Sequence, residues 1–336
     1  LVESTHAEIS DLSLSMVRRL AQLREDVGRD LTVLARYPAV LEELRRPGGG
    51  RERDLQDLFS GLLQANDLYL QVRLIAAQDY GKERIRVDRD VQGSVVVSGG
   101  DLREMEHLDY VFEALSLAPG QLYLSPITIN HEDDAHLAQG RAGAVLSMPV
   151  HDSAGKVWGV LVINADLPAV FAKLKQDLPQ GFELLMTNGE GDYLVHPDAQ
   201  KTFGFDRGRR MLLQDDVPQA KDLFVGSTSK LLTVLDQAEY AQAPVLAAFF
   251  AKGLEVHSGE TRLVMGVTRP LQPIVAQVRA LLYGTLRVVA GVVVVCAFLA
   301  FVLARLLVRP LSQMRRAVSA FGQTGAMDPL PTQRSD

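Results

Sequence analysis

Residues Val288–Ala304, VVAGVVVVCAFLAFVLA, run for seventeen positions without a charge and are bracketed by Arg287 and Arg305. At 1.5 Å of rise per residue such a helix is ~26 Å long, close to the hydrocarbon thickness of a bilayer. Leu281, Leu282 and Tyr283 extend it on the N-terminal side, and arginines at either end can reach the headgroups. A helix in a water-soluble core keeps a polar face, whereas this one carries Val, Leu and Phe all round. The stretch is expected to cross a membrane.

The flanks set its direction. Arg305, Arg309, Arg315, Arg316 and Arg334 follow the span against only Asp328 and Asp336, which marks the C-terminal side as cytoplasmic. Up to Pro270 the chain holds 28 basic and 39 acidic residues, net −11; the remaining 66 residues hold 7 and 2, net +5. An acidic region, residues 1–270, is therefore expected outside the membrane and a basic stub inside. That balance argues against a nucleic-acid partner. The one cysteine, Cys296, falls within the span, so the outer region has no disulfide. An outer domain of this size needs a segment to export it. A first membrane helix is expected ahead of Leu1, and further chain is expected after Asp336.

Ile9, Leu12, Met16, Leu20, Leu23, Val27, Leu31 and Leu34 are spaced by 3.57 residues on average, one apolar stripe on one long helix. It is suited to packing on its own domain, on a second copy, or on both. Pro38 and Pro47–Gly50 close the helical segment, residues 1–45. From Asp67 the period falls to two. LYLQVRLIAA, a turn at Asp79–Gly81, KERIRVDRD, QLYLSPITI, AVLSMPVHD and VWGVLVINAD read as the strands of a five-strand sheet, with helix near Asp101–Ala118. This first domain spans 46–170. The amphipathic LPAVFAKLKQDLP leads into a second, smaller sheet, residues 171–270, built from FELLMTN, DYLVHPD, VLAAFFAKGL and RLVMGVTRP around a helix-rich middle. Residues 271–308 form the juxtamembrane and membrane helix. In 309–336, Leu311, Met314, Val318 and Phe321 make a coiled-coil seam. The fold class is α+β: a long N-terminal helix, two tandem antiparallel-sheet domains, a transmembrane helix and a short cytoplasmic helix.

YLQVRLIAAQDYGKERIRVDR, QLYLSPITINHE, MPVHDSAGKVWGVLVINAD and FELLMTNGEGDYLVHPD, in this order ahead of the membrane helix, resemble the double Cache sensors of bacterial membrane receptors. LLVRPLSQMRRAVSAFGQTG resembles the start of a HAMP domain. The resemblance implies two PAS-like sheets on one long helix, located at the bacterial inner membrane. It further implies a ligand-sensing and signalling region, most often of a two-component histidine kinase, with chemotaxis receptors and diguanylate cyclases as alternative outputs. A homodimer is expected from the stripe and the seam. An ectodomain that binds a partner protein instead of a small ligand is a second reading. A membrane-anchored hydrolase is a third, without a nucleophile–base pattern to support it. Many amino-acid-sensing relatives carry Arg-x-Trp-Tyr; the corresponding Leu108-Asp109-Tyr110-Val111 lacks its Arg and Trp, so that route to an α-amino acid is not expected here.

The sequence contains no Gly-x-x-x-x-Gly-Lys, no Cys pair, no His-Glu-x-x-His and no Gly-x-Ser-x-Gly, and no haem or flavin fingerprint; no cofactor and no catalytic residue is expected. His131-Glu132-Asp133-Asp134-Ala135-His136 reads either as a solvated loop or as metal ligands gathered in one loop, and no metal site is assigned. His196 before Pro197 reads as a turn residue. Arg73 lies in an apolar strand, where an unpaired charge is costly, so it requires either a ligand carboxylate or an internal acid such as Glu83. Family position adds Tyr110, Tyr123, Arg141 and Asp166 as ligand-binding candidates in the distal domain. Asp166 is equally suited to cap the helix that starts at Leu167-Pro168.

Overall fold

The computed structural model describes residues 2–90, 95–97, 102–129, 142–235, 244–256, 259–271 and 282–305. The expected HAMP start with its seam Leu311–Phe321, the His131–His136 loop and Arg141 lie outside the described residues. Two compact units divide the chain, Leu1–Leu271 and Gln272–Asp336.

Helix α1 (Val2–Ala35) is the spine of the first unit, 34 residues and therefore ~51 Å long. Ile9, Met16, Val27, Leu31 and Leu34 are buried, which is the stripe the spacing predicts. Buried Ser13 interrupts it; its Oγ lies 2.9 Å from the Ile9 carbonyl and 3.2 Å from that of Ala248 in the second sheet. Pro38 cannot continue a helix bonded to the preceding turn, so α1 stops and Pro38 opens α2 (Pro38–Arg45). Helix α3 (Glu52–Ala65) follows, with Leu55, Phe59 and Leu63 buried one turn apart.

The first sheet comprises β1 (Tyr69–Ala76), β2 (Glu83–Arg89), β3 (Val95–Val97), and, after α4 (Asp109–Leu115), β4 (Tyr123–Leu124), β5 (Thr128–Ile129), β6 (Ala142–His151) and β7 (Val157–Asp166). Its order is β3-β2-β1-β7-β6-β4, with β5 also on β6, and every pairing is antiparallel. The sheet thus has seven strands among the described residues where five are expected. QLYLSPITI splits around Pro126 into two short strands on β6, since proline cannot donate to a ladder, and Val95–Val97 adds an edge. The turn between β1 and β2 holds Asp79, Tyr80 and Gly81 at φ of 56°, 58° and 68°. A Cβ on Gly81 would stand 2.5 Å from the Glu106 backbone nitrogen, so both conformation and space demand glycine.

Asp166 ends β7 and caps α5 (Leu167–Gln176), its Oδ1 accepting from the Ala169 N–H at 3.4 Å. The second sheet is β8 (Glu183–Thr187), β9 (Tyr193–Val195), β10 (Lys230–Leu235), β11 (Val245–Val256) and β12 (Gly259–Pro270), in the order β10-β11-β12-β8-β9. Between β9 and β10 lie α6 (Leu213–Asp216) and α7 (Lys221–Val225). Strand β10 falls in the segment expected to be helix-rich; its KLLTVL has a run of β-formers that finds a partner only once β11 is in place.

Helix α1 packs along one face of both sheets, against β11 and β12 near its start and β6 and β7 further on. Arg269 Nη1 donates to Glu8 at 2.8 Å at one end, and Tyr69 Oη donates to Asp30 at 2.6 Å at the other. In the second unit, Leu282–Arg305 is one 24-residue helix containing an 18-residue stretch of mean hydropathy 2.7, long and apolar enough to cross a membrane.

Candidate functional site

Strand β1 is buried along its whole length because both faces of the first sheet are covered. Val72 and Leu74 join the core on the α1 side; Ile75, Val160 and Val162 pack on the other side with Tyr110, Val111 and Ala114 of α4. Arg73 shares that second face. Cross-strand register sets Arg86, Arg73, Val162, Ser147 and Tyr123 in one row across β2, β1, β7, β6 and β4. The adjacent row holds Asp88, Gln71, Asn164 and Val145. A sheet face under a helix is thus lined with charged and polar groups, buried except for the part-buried Arg86.

Arg73 is 2% exposed and Glu83 is 0% exposed, with Nε and Oε1 3.4 Å apart. Arg73 Nη1 donates to Tyr110 Oη at 2.9 Å, and Ser147 Oγ donates to the Tyr110 carbonyl at 2.6 Å, so the sheet grips α4 through one residue. Arg86 bridges Glu83 at 3.5 Å and Asp88 at 3.0 Å, and Gln71 Nε2 donates to Asp88. Burial pushes the Glu83 carboxyl up from its ordinary range, with the guanidiniums of Arg73 and Arg86 pulling against it. Burial likewise raises the Tyr123 phenol, and the charges of Asp109 and Glu113 add to the effect. Arg73 therefore has an internal acid beside it, the second of the two partners its position demands.

Asn164 differs from its neighbours. It is 5% exposed, and its side-chain Oδ1 accepts no hydrogen bond among the described residues. An unsatisfied buried carbonyl costs about 1–3 kcal/mol, so a donor supplied from outside would be well received there. The structure brings Arg73, Tyr110 and Tyr123 to one face. Asp166, buried beyond Asn164 on β7, is held as the cap of α5. The sequence reading did not single out Gln71, Asp88, Ser147 or Asn164. Their signal was the polar half of a period-two pattern in strands whose other half is Val, Leu and Ile.

The second sheet offers a different arrangement. Asp192 is buried and clamped, accepting from Arg210 Nε and Nη2 at 2.8 and 2.6 Å and from Asn188 Nδ2 at 3.1 Å. Tyr193 Oη and Lys201 Nζ both donate to Asp216 at 2.8 Å. His196 is also buried, its ring edge-on to Tyr193 at 4.6 Å, and Nδ1 accepts from the Asp198 N–H at 2.9 Å, as a turn residue would. These groups satisfy one another.

Two antiparallel PAS-like sheets threaded on one helix, the first with a polar inner face, are the architecture of a double Cache sensor domain. Residues 10–220 match the bacterial histidine kinase sensor domain, and the chain belongs to that family. The extracellular domain of vpHK1S-Z8, a candidate histidine kinase, superposes with a TM-score of 0.65 at 18% identity, covering 81% of this chain and 97% of that one. Methyl-accepting chemotaxis protein X gives 0.56 at 14% identity, covering 80% and 99%. The ligand-binding domain of the Campylobacter jejuni chemoreceptor Tlp3, in complex with L-valine, gives 0.53 at 12% identity, covering 81% and 94%. At these identities the likeness is one of fold. No curated protein sequence matches the chain.

Proposed function

We propose that a small polar molecule binds the first sheet, within residues 46–170, on its polar face at Asn164, beside the row of Arg73, Ser147 and Tyr123 and the Tyr110 that this row holds; Asp166 and Arg141, the latter outside the described residues, are the further candidates. The observation that carries this reading is the buried Asn164 Oδ1, without a hydrogen bond among the described residues, beside a charged network. A ligand N–H or O–H would complete it. Arg73 acts through Tyr110 and Glu83 in this reading, fixing the pocket wall. The missing Arg and Trp beside Tyr110 argue for a ligand other than an α-amino acid bound in the family's usual way, even though a neighbour of the same fold holds L-valine.

Ligand occupancy at the first sheet biases α1, which touches both sheets. The second domain (171–270) passes the change to the membrane helix (271–308), and a HAMP helix (309–336) carries it to a histidine kinase of a two-component system. Residues 1–270 lie outside the bacterial inner membrane and the C-terminus lies in the cytoplasm. The receptor works as a homodimer. A reporter fused after Asp336 is expected to be active only if it needs the cytoplasm; activity of a periplasmic reporter there overturns the topology. For the site, thermal unfolding of the full chain in lipid nanodiscs is screened against organic acids, amines and nucleobases. A stabilising hit is expected to vanish in Asn164→Leu and to survive in Asp192→Ala. The reverse pattern, with both variants folded, moves the site to the second sheet.

A further inference from the structure

The edges of the two sheets meet through one short segment. In the first sheet, Thr128 of β5 pairs with Gly143 of β6, and Gly143 pairs on its other side with Asp166. A Cβ on Gly143 would stand 2.7 Å from Asn164 Oδ1, so β5 is one strand away from that carboxamide. In the second sheet, β9 is the edge. The Phe203 N–H donates to the Tyr193 carbonyl of β9 at 2.8 Å, and the Tyr193 N–H donates to the Met211 carbonyl at 3.3 Å. Backbone groups that an edge strand leaves open are satisfied in this way. The same segment reaches the first sheet, where the Ile129 N–H of β5 donates to Asp206 Oδ2 at 2.7 Å.

Phe203 holds a φ of 54°, in the left-handed region. Its side chain is buried in the seam lined by Ile129, Ala142, Phe171 and Val195. A bulky residue adopts that conformation at a cost and keeps it only where its surroundings fix it. Here they come from both sheets, through Tyr193 on one side and the Asp206–Ile129 bond three residues further on. The Arg209 N–H closes the turn on the Gly204 carbonyl at 2.8 Å, which leaves little slack between Phe203 and Asp206. We propose that Phe203–Arg207 is a strained latch between the sheets, shut by the Asp206–Ile129 bond and opened when β5 shifts. Opening lets Phe203 leave the left-handed region; its N–H then leaves the Tyr193 carbonyl, and the edge of the second sheet loosens. A shift at the polar face of the first sheet thus reaches β9 by a path that does not run through α1. The latch is defined by the contacts between the sheets and stands independently of the proposed polar ligand.

The test uses the full chain in nanodiscs without ligand. Hydrogen exchange reads the Ile129 and Phe203 amides, and the one-bond Cα–Hα coupling of 13C-labelled phenylalanine reads the sign of the Phe203 φ. Asp206→Ala is expected to speed exchange at both amides about tenfold or more, the size of one charge-assisted hydrogen bond. It should also erase the positive-φ signature. Asp206→Asn keeps an acceptor for Ile129 and should stay close to the parent. Exchange that rises at Ile129 alone, with Phe203 still at positive φ, makes Asp206 a plain edge cap and overturns the latch. An Asn variant that behaves as the Ala variant overturns the assignment to the Ile129 bond. Transmission is read with Gly143→Ala, whose methyl collides with the Asn164 carboxamide. It should speed exchange at Phe203 in the parent and add nothing in Asp206→Ala; the same increment in both backgrounds overturns the coupling. Should Gly143→Ala fail to fold, Thr128→Gly loosens β5 directly and is read by the same comparison.

Discussion

The two sheets of this sensor domain share one strand order and have opposite interiors. Reading β8, β9, β10, β11 and β12 as counterparts of β1, β2, β4, β6 and β7 gives one topology twice. Each first hairpin carries one register shift, between Leu74 and Ile75 and between Met186 and Thr187. Counted from these shifts, Leu185 stands where Arg73 does and Tyr193 where Glu83 does. The row through Leu185 continues to Gly266, Phe249 and Leu231, and Phe249 lies over Gly266 so closely that a Cβ there would come within 2.3 Å of its ring. The second sheet has filled with an aromatic side chain the space that the first lines with a guanidinium, a carboxylate and a hydroxyl. Replacing a buried ion pair by packed apolar groups is often neutral or stabilising. The first sheet therefore does not need its charges in order to fold, which is the physical reason to look for a ligand there and not in the second.

The largest effect is expected on the filled side. Phe249→Ala should cost about 3–5 kcal/mol, seen as lost hydrogen-exchange protection across β11 and β12, because Gly266 offers nothing to collapse into the gap. A loss below about 1 kcal/mol would show that the second sheet is looser than its burial implies, since truncating a fully buried Phe ordinarily costs several times that.

On the polar side, Arg73→Leu should cost about 3 kcal/mol, as it takes from buried Glu83 one of its two neighbouring guanidiniums and leaves it Arg86 and the Arg103 N–H. Arg73→Leu combined with Glu83→Leu should return to within about 1 kcal/mol of the parent while losing ligand response. A double variant no more stable than the single one would make the network a scaffold, and the contrast between the sheets would lose its functional meaning. Tyr110→Phe is milder: losing the hydroxyl bonded to Arg73 should cost about 1.5–3 kcal/mol, concentrated in the protection of α4.

Much of this arrangement is legible in the sequence because it rests on period. The membrane stretch, the stripe Ile9–Leu34 and both first hairpins follow from spacing alone. Helix α3 follows the same logic through Leu55, Phe59 and Leu63, although its short polar surroundings obscure it. Arg73 stands out because Val72 and Leu74 flank it. Glu83, Arg86 and Asp88 do not, since KERIRVDRD reads as a strand with its charged face in water. Only the pairing of β2 with β1 turns that face inward. Asp166 shows the converse: a buried acid at a strand end is used by the next helix as its cap, and sequence position alone does not separate that from a ligand contact.

The smallest and most discriminating effect is in pH. Burial, and secondarily the charge of Lys201, lowers the pKa of His196 below its ordinary 6.5, with Asp198 and Asp216 opposing. A base whose folded pKa is depressed adds stability above its unfolded pKa and loses it as pH falls through the folded one. Protonation also removes the Nδ1 lone pair that receives the Asp198 N–H. Glu83 has the opposite sign: its folded pKa is raised above the ordinary 4.5, so its contribution is full below that value and is lost as pH rises through the folded one. Acidification from pH 7.5 to 5 should therefore loosen β9 while leaving β1 and β2 unchanged or firmer, read by hydrogen exchange corrected for intrinsic rates at each pH. His196→Gln should remove the slope in β9 and nothing else. If β9 keeps its pH dependence without His196, a group other than His196 carries it, and the contrast between the sheets narrows to the row of Arg73 alone.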